Sequence, residues 1–321
     1  MPAAMRILVS SDHRYPARSY AISASGLASA RVTDCLVKGL AELGHEVFYR
    51  LRQGAAEPLP EGVAPVAESL PDVEVLHLQD SSVAAEMDAS DKPWVRTIHA
   101  DLKARGVAYR LRDNWIFVSR TLAESFGKER CVLNGIDPAE YIYSETKNDY
   151  LLFMCHLDRA AEKGLDIALA LSERLGFELI IAGSATDGRV RETISARCRK
   201  GNARLVGEVQ GACKAEWLAG AKALLFPTQL NEAFGLVMAE ALMSGTPVVC
   251  SQHGACPEII SADVGFVCAG LQDYAAAIRR IDEIAPAACR AKALRDYHYL
   301  RMAQDYVREY EKELANGGGG Q

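Results

Sequence analysis

The stretch Phe226-Pro227-Thr228-Gln229-Leu230-Asn231-Glu232-Ala233-Phe234-Gly235-Leu236-Val237-Met238-Ala239-Glu240-Ala241, continuing to Ser244-Gly245-Thr246-Pro247-Val248-Val249, decides how the chain is read. The apolar run from Ala223 to Phe226 predicts a buried strand, and the glycine-bearing segment after it predicts a turn into a helix. A strand end, a glycine turn and a helix start form the place where open α/β sheets hold polar ligands. Two carboxylates, Glu232 and Glu240, stand there with seven residues between them. At about 100° per residue, eight helical steps bring the second back to within about 80° of the first. The spacing therefore predicts that both face one site. The alternative is two glutamates on the polar face of an amphipathic helix. Leu236, Val237, Met238, Ala239, Ala241, Leu242 and Met243 surround Glu240, however, and a charge in so apolar a helix needs a partner.

Outward from this stretch, short apolar runs alternate with helical ones, the pattern of parallel sheets covered by helices. The first half predicts strands at Arg6–Ser10, Glu46–Leu51, Val73–Leu78, Val95–His99, Trp115–Ser119 and Arg130–Asn134. A helix from about Ala28 to Leu43 follows the first strand and ends at Gly44. The polar link from Tyr143 to Asp149 separates the halves. The alternation then restarts with Tyr150–Cys155, Glu178–Ala182, Ala203–Val206, Ala223–Phe226, Pro247–Ser251 and Gly265–Val267. The last stretch, Ala291 to Leu314, predicts one long helix with four tyrosines. It either packs on its own domain or crosses back to the first. The division adopted is a first domain over 1–145, a second over 146–295, a terminal helix over 296–316 returning to the first, and a flexible glycine tail over 317–321.

Composition narrows the class. At 321 residues, two domains are the prior expectation. An apolar fraction of 49% and a charged fraction of 24% are those of an ordinary soluble protein. A net charge of −6 argues against a nonspecific nucleic-acid binder. No apolar run is long enough to span a bilayer. The opening residues read as a first strand and not as a leader; the cytoplasmic expectation rests on the cysteines. Nine cysteines, scattered without metal-ligand pairing, fit reduced thiols.

Four stretches of the second half resemble one family: Leu151-Leu152-Phe153 through Glu162-Lys163-Gly164-Leu165-Asp166, Leu179-Ile180-Ile181-Ala182-Gly183-Ser184, Arg204-Leu205-Val206-Gly207-Glu208-Val209, and the opening run extended to Gly254-Ala255-Cys256-Pro257-Glu258. Leu43-Gly44-His45, Thr97-Ile98-His99, Val118-Ser119-Arg120 and Asn134-Gly135-Ile136-Asp137 match in the first half. The chain resembles the retaining family-4 glycosyltransferases. That resemblance implies a GT-B fold, two Rossmann-like domains facing across a cleft. It also implies transfer of a sugar from a UDP- or GDP-sugar donor to an acceptor hydroxyl, by a front-face mechanism. Alternatives within the fold are a sugar-nucleotide epimerase or hydrolase, or a sugar-nucleotide-binding protein without turnover. No Asp-x-Asp motif stands beside a strand end, so neither metal nor other cofactor is expected.

The resemblance also implies roles. Lys163, before a glycine at a helix start, meets the diphosphate; taken alone it reads as a solvated lysine in a turn. Glu232 accepts from donor-sugar hydroxyls, with the backbone of Ala233, Phe234, Gly235 and Leu236 assisting, and Glu240 accepts from the ribose. Gly183, Gly207 and Val209 belong to the nucleotide side. His99 lies near the reacting sugar, or else is a strand-end histidine capped by backbone. His77, in a looser motif, reads as structural. The family has an arginine in a Gly-Arg-Leu triplet where this chain has Cys155-His156-Leu157. Either Arg159 reaches back to the phosphate, His156 supplies a pH-dependent charge, or the chemistry is impaired. In the loop after the first strand only Gly26 remains of a glycine pair. Arg14, Arg18 and Arg31 are further cations there, and Arg120 is a stronger one beside a helix cap.

Overall fold

The computed structural model describes residues 4–11, 27–51, 59–66, 71–79, 92–104, 106, 109–199 and 201–316. Gly26, Arg14, Arg18 and the glycine tail 317–321 lie outside the described residues. Two series of short, buried, β-branched-rich runs form two six-stranded sheets. The first holds β1 (Arg6–Ser10), β2 (Glu46–Arg50), β3 (Val63–Pro65), β4 (Val75–Leu78), β5 (Trp94–Ile98) and β6 (Trp115–Phe117), in the order β3-β2-β1-β4-β5-β6. The second holds β7 (Tyr150–Met154), β8 (Glu178–Ala182), β9 (Ala203–Gly207), β10 (Ala223–Phe226), β11 (Val248–Ser251) and β12 (Gly265–Cys268), in the order β12-β11-β10-β7-β8-β9. Every neighbouring pair is parallel.

The two orders are the same order. Each sheet runs outward from its first strand in one direction and then, from its fourth, in the other. The reversal falls between β1 and β4 and between β7 and β10. At such a switch point the loops leaving adjacent strands diverge to opposite faces and open a crevice at the strands' carboxyl ends. Central strands such as β4 and β10 are buried throughout, as sheets covered on both faces require.

The chain divides into two units, Met1–Ile136 with Tyr297–Gln321, and Asp137–Asp296. In the first, the helix Leu27–Glu42 buries Val32, Leu36 and Leu40. The final helix, Tyr299–Ala315, lies against it, with Tyr299 Oη donating to Glu42 at 2.8 Å. In the second, Leu151, Phe153, Leu179, Ile181, Leu225 and Val249 of the sheet join Leu165, Leu171 and Tyr274 of the helices in one core.

Three sequence expectations need correction. Arg130–Asn134 is not a strand: Cys131 makes a single bridge to Phe117, while Arg130 turns to Glu309 and Glu313 of the final helix. The stretch Ala291–Leu314 is not one helix. It is two, Pro286–Asp296 and Tyr299–Ala315, parted because the Ile136 amide donates to the Tyr297 carbonyl at 2.8 Å and the Tyr299 amide to the Ile136 carbonyl at 3.1 Å. Finally, β3 was not expected, because its three residues end in proline and only pairing with β2 makes them a strand.

Candidate functional site

At the β7/β10 switch point of the second unit, the loops leaving the two strands bring a lysine and a glutamate together. The loop leaving β7 makes a short turn over Leu157–Arg159 and delivers Lys163 just before the helix Leu165–Leu175. The loop leaving β10 carries Thr228 and Glu232 and ends at the helix Leu236–Met243. Lys163 Nζ and Glu232 Oε1 form an ion pair across these two loops, with side chains only 17% and 12% exposed. Thr228 Oγ1 donates to the same oxygen at 3.2 Å, and the ammonium stands 5.5 Å from the centre of the Phe226 ring. Both contacts go to Oε1, so Glu232 Oε2 keeps its acceptor capacity.

Backbone geometry holds this pair in place. The Gln229 amide donates to the Glu162 carbonyl at 2.8 Å, tying the two loops together beside it. Gly164 has φ +83°, and a Cβ there would lie 2.0 Å from the Pro227 carbonyl oxygen, so only glycine lets the loops approach so closely. On the far side, the Ala255 amide donates to the Glu232 carbonyl at 2.9 Å. Gly254, at φ +58°, leaves room where a Cβ would sit 2.2 Å from the Glu232 nitrogen. Three loops thus converge on Glu232.

Glu240 has a different environment. It is 2% exposed, accepts from Tyr141 Oη at 3.1 Å through Oε1, and pairs with Lys214 Nζ at 2.6 Å through Oε2. The expectation of a buried charge with a partner holds. The rotation argument that put both glutamates on one helical face does not. The helix begins only at Leu236, and 227–235 carries no helical turn, so Glu232 is a loop residue and 100° per residue does not apply between the two. Tertiary contacts place each carboxylate.

The remaining expected residues fall as follows. Ala233, the buried Phe234, Gly235 and Leu236 lead into the helix, whose start has no side-chain cap. Gly183 follows β8 and donates to the Gly207 carbonyl at 2.8 Å, and Val209 is buried just beyond. His156 Nδ1 stands 3.7 Å from Asp158 Oδ2, and Asp158 is itself held by Thr186. Arg159 pairs at the surface with Glu162 at 2.9 Å. Burial pushes the Cys155 thiol beneath this loop up to about 12, so it stays protonated. In the first unit, Arg120 opens a six-residue helix capped by Ser119, whose Oγ accepts from the Leu122 amide at 3.1 Å. His99 Nε2 lies 2.6 Å from Gln79 Oε1, and His77 is wholly buried, as its structural reading requires.

Sequence reasoning missed Lys214, Tyr141, Thr228 and Gly254. The apolar surroundings of Glu240 demanded a cation, but nothing in the spacing says which of the chain's lysines and arginines supplies it. Among the described residues no group of three or more His, Cys, Asp or Glu side chains is arranged to hold a metal ion. No described helix is long and apolar enough to cross a membrane.

Two parallel sheets of identical order, each in its own unit, define a GT-B fold. Residues 148–283, all within the second unit, match the family described as glycosyl transferases group 1. Glycogen synthase of Mycobacterium tuberculosis is 30% identical over 73% of this chain and 65% of its own length. The chain spans 56% and 65% of the first curated relatives it matches. Among solved structures, AviGT4, a glycosyltransferase involved in avilamycin A biosynthesis, superposes with a TM-score of 0.79 at 25% identity, over 97% of this chain and 98% of its own. Anabaena HepE, solved with UDP-glucose, has a TM-score of 0.72 over 96% and 100% of the two chains. At 14% identity it shows the fold alone.

Proposed function

We propose that the protein is a retaining glycosyltransferase, moving a sugar from a UDP- or GDP-sugar to an acceptor hydroxyl without a metal. The observation that carries this reading is the Lys163–Glu232 pair at the β7/β10 switch point, braced by three loops. A donor presents two things to such a pair: an anion and a set of neighbouring hydroxyls. The diphosphate takes up Lys163, whose ammonium sits at the start of an eleven-residue helix with no side-chain cap. The sugar hydroxyls donate to Glu232 Oε2, and the buried Glu240, already oriented by Tyr141 and Lys214, receives the ribose diol.

The chemistry that follows is electrostatic. As the glycosidic bond stretches, charge grows on the diphosphate, and Lys163 with the helix start stabilises it more in the transition state than before. The acceptor oxygen approaches from the face the diphosphate leaves, and the departing phosphate oxygen takes its proton. No protein nucleophile is assigned. His99 is the proposed contribution of the first unit, and Arg159 and His156 are the candidates for a second phosphate contact. The localisation we propose is cytoplasmic.

The test separates transfer from hydrolysis. A thermal-shift series with UDP and GDP identifies the base, a ligand at 100 times its dissociation constant stabilising by about 2.7 kcal/mol. Sugar consumption and acceptor modification are then followed in parallel, with Glu232→Ala as control. Transfer lost in the control supports the reading. Free sugar without a modified acceptor would point to a hydrolase, and binding without turnover to a carrier.

A further inference from the structure

The first unit contains a buried polar chain that the donor-side reading leaves unused. At its outer end is half-buried His99, whose Nε2 lies 2.6 Å from Gln79 Oε1. The other atom of that amide, Gln79 Nε2, lies 3.0 Å from Nε2 of His77. His77 Nδ1 lies 2.6 Å from Tyr310 Oη, and its Nε2 lies 2.7 Å from Thr97 Oγ1. Thr97 is in turn 2.7 Å from Tyr306 Oη. Both tyrosines belong to the helix Tyr299–Ala315, fully buried there, and their rings pack on the His77 imidazole at centroid distances of 4.6 and 5.6 Å.

The donors and acceptors in this chain have one direction. The amide nitrogen of Gln79 can only donate, so the His77 Nε2 it faces is the bare, accepting nitrogen. The neutral imidazole then carries its proton on Nδ1 and gives it to Tyr310 Oη. The amide oxygen of Gln79 can only accept, so His99 must present N–H at Nε2. The lone pair of neutral His99 is thereby assigned to Nδ1. Burial, with a smaller contribution from His99, pushes His77 down to about 3, so it stays neutral and the direction is kept across the physiological range.

We propose that Gln79 is a positioning residue for His99, fixing its ring orientation and proton at Nε2 through a chain anchored on Tyr310 of the C-terminal helix. What His99 then does rests on the transferase reading; how it is held does not. The sequence gives the idea physical sense. Residues 77 and 79 alternate along the end of β4, and 97 and 99 along the end of β5, so two adjacent strands bring these groups side by side. Tyr306 and Tyr310, four apart, share one helical face above them.

The experiment reads the imidazole directly. The full chain, with its histidines labelled with ¹⁵N, is recorded by long-range proton–nitrogen correlation without nucleotide or sugar, and His99 and His77 are assigned from His99→Phe and His77→Gln. Proton on Nε2 of His99 and on Nδ1 of His77 is the expected result. Gln79→Met should shift the His99 tautomer ratio by about fivefold or more, the bias that one hydrogen bond supplies. Gln79→Glu, which keeps an acceptor oxygen for His99, should retain the Nε2 proton. Tyr310→Phe should disturb His77 first and His99 less, and it serves if Gln79→Met does not fold. A His99 protonated on Nδ1, or a ratio unmoved by Gln79→Met, overturns the proposal. Because no substrate is present, this result is independent of whether sugar transfer is found.

Discussion

The two units solve the same topological problem with opposite chemistry. Each has a six-stranded parallel sheet of the same order, and in each the candidate side chains lie at the carboxyl ends of central strands. At the β7/β10 switch the second unit places formal charge, Lys163 with Glu232, and on the helix that follows the buried Glu240 pairs with Lys214. At the carboxyl ends of β4 and β5 the first unit places two imidazoles, of which the buried His77 stays neutral, in one hydrogen-bonded chain with an uncharged amide, a threonine and two tyrosines. Charge suits the grip on an anion and its hydroxyls, where a cation and a carboxylate exchange partners with the ligand. A neutral chain suits the holding of an imidazole, because it fixes a proton without imposing a charge of its own.

This contrast can be broken most severely at Glu232. Glu232→Ala should lower transfer about a hundredfold or more, the scale of removing one preorganised electrostatic contact, while the fold survives, since the residue sits in a loop. A variant that transfers normally would remove the charged site from the account. Next comes Glu240. Glu240→Leu leaves Lys214, 16% exposed, without its carboxylate and should cost about 3 kcal/mol in chemical denaturation. Adding Lys214→Met should recover most of that stability and none of the nucleotide affinity. Recovery of both would make the pair purely structural.

The neutral chain makes a pH prediction of the opposite kind. His77 has an ordinary value of 6.5 unfolded and about 3 folded. Between those values the unfolded chain binds the extra proton, so stability rises with pH through that window and is lost on acidification. From pH 6.5 to 5 His77 alone should account for a loss of about 2 kcal/mol, and His77→Gln should flatten that part of the stability profile. An unchanged slope would mean His77 is not held neutral. The smallest effect is expected at Arg159, whose pair with Glu162 is half exposed. Arg159→Ala should change stability by less than about 0.5 kcal/mol.

The fold was legible because parallel strands buried on both faces leave continuous apolar runs, and glycines and polar links punctuate them. The boundaries that failed are those set by distant partners. Arg130 is drawn off a strand path by Glu309 and Glu313, and the terminal helix breaks where Ile136 inserts a backbone pairing. The candidate site was legible to the same degree. Lys163, Glu232 and Glu240 stand in a readable order along the chain, whereas Lys214 and Tyr141 reach Glu240 from other parts of the sequence, and the Gln79–His77 chain closes on tyrosines 233 and 209 positions from their partners. A periodicity argument also misled: applied from 232 to 240 it assumed a helix that starts only at Leu236.

The central claim is that the charged cluster of the second unit holds a nucleoside diphosphate, and calorimetric titration of UDP and of GDP into the full chain tests it most directly. One of the two should bind the unaltered protein, and both Lys163→Ala and Glu240→Gln should weaken that binding by tenfold or more while the proteins remain folded. Binding of neither nucleotide, or affinities unchanged by both substitutions, would contradict it.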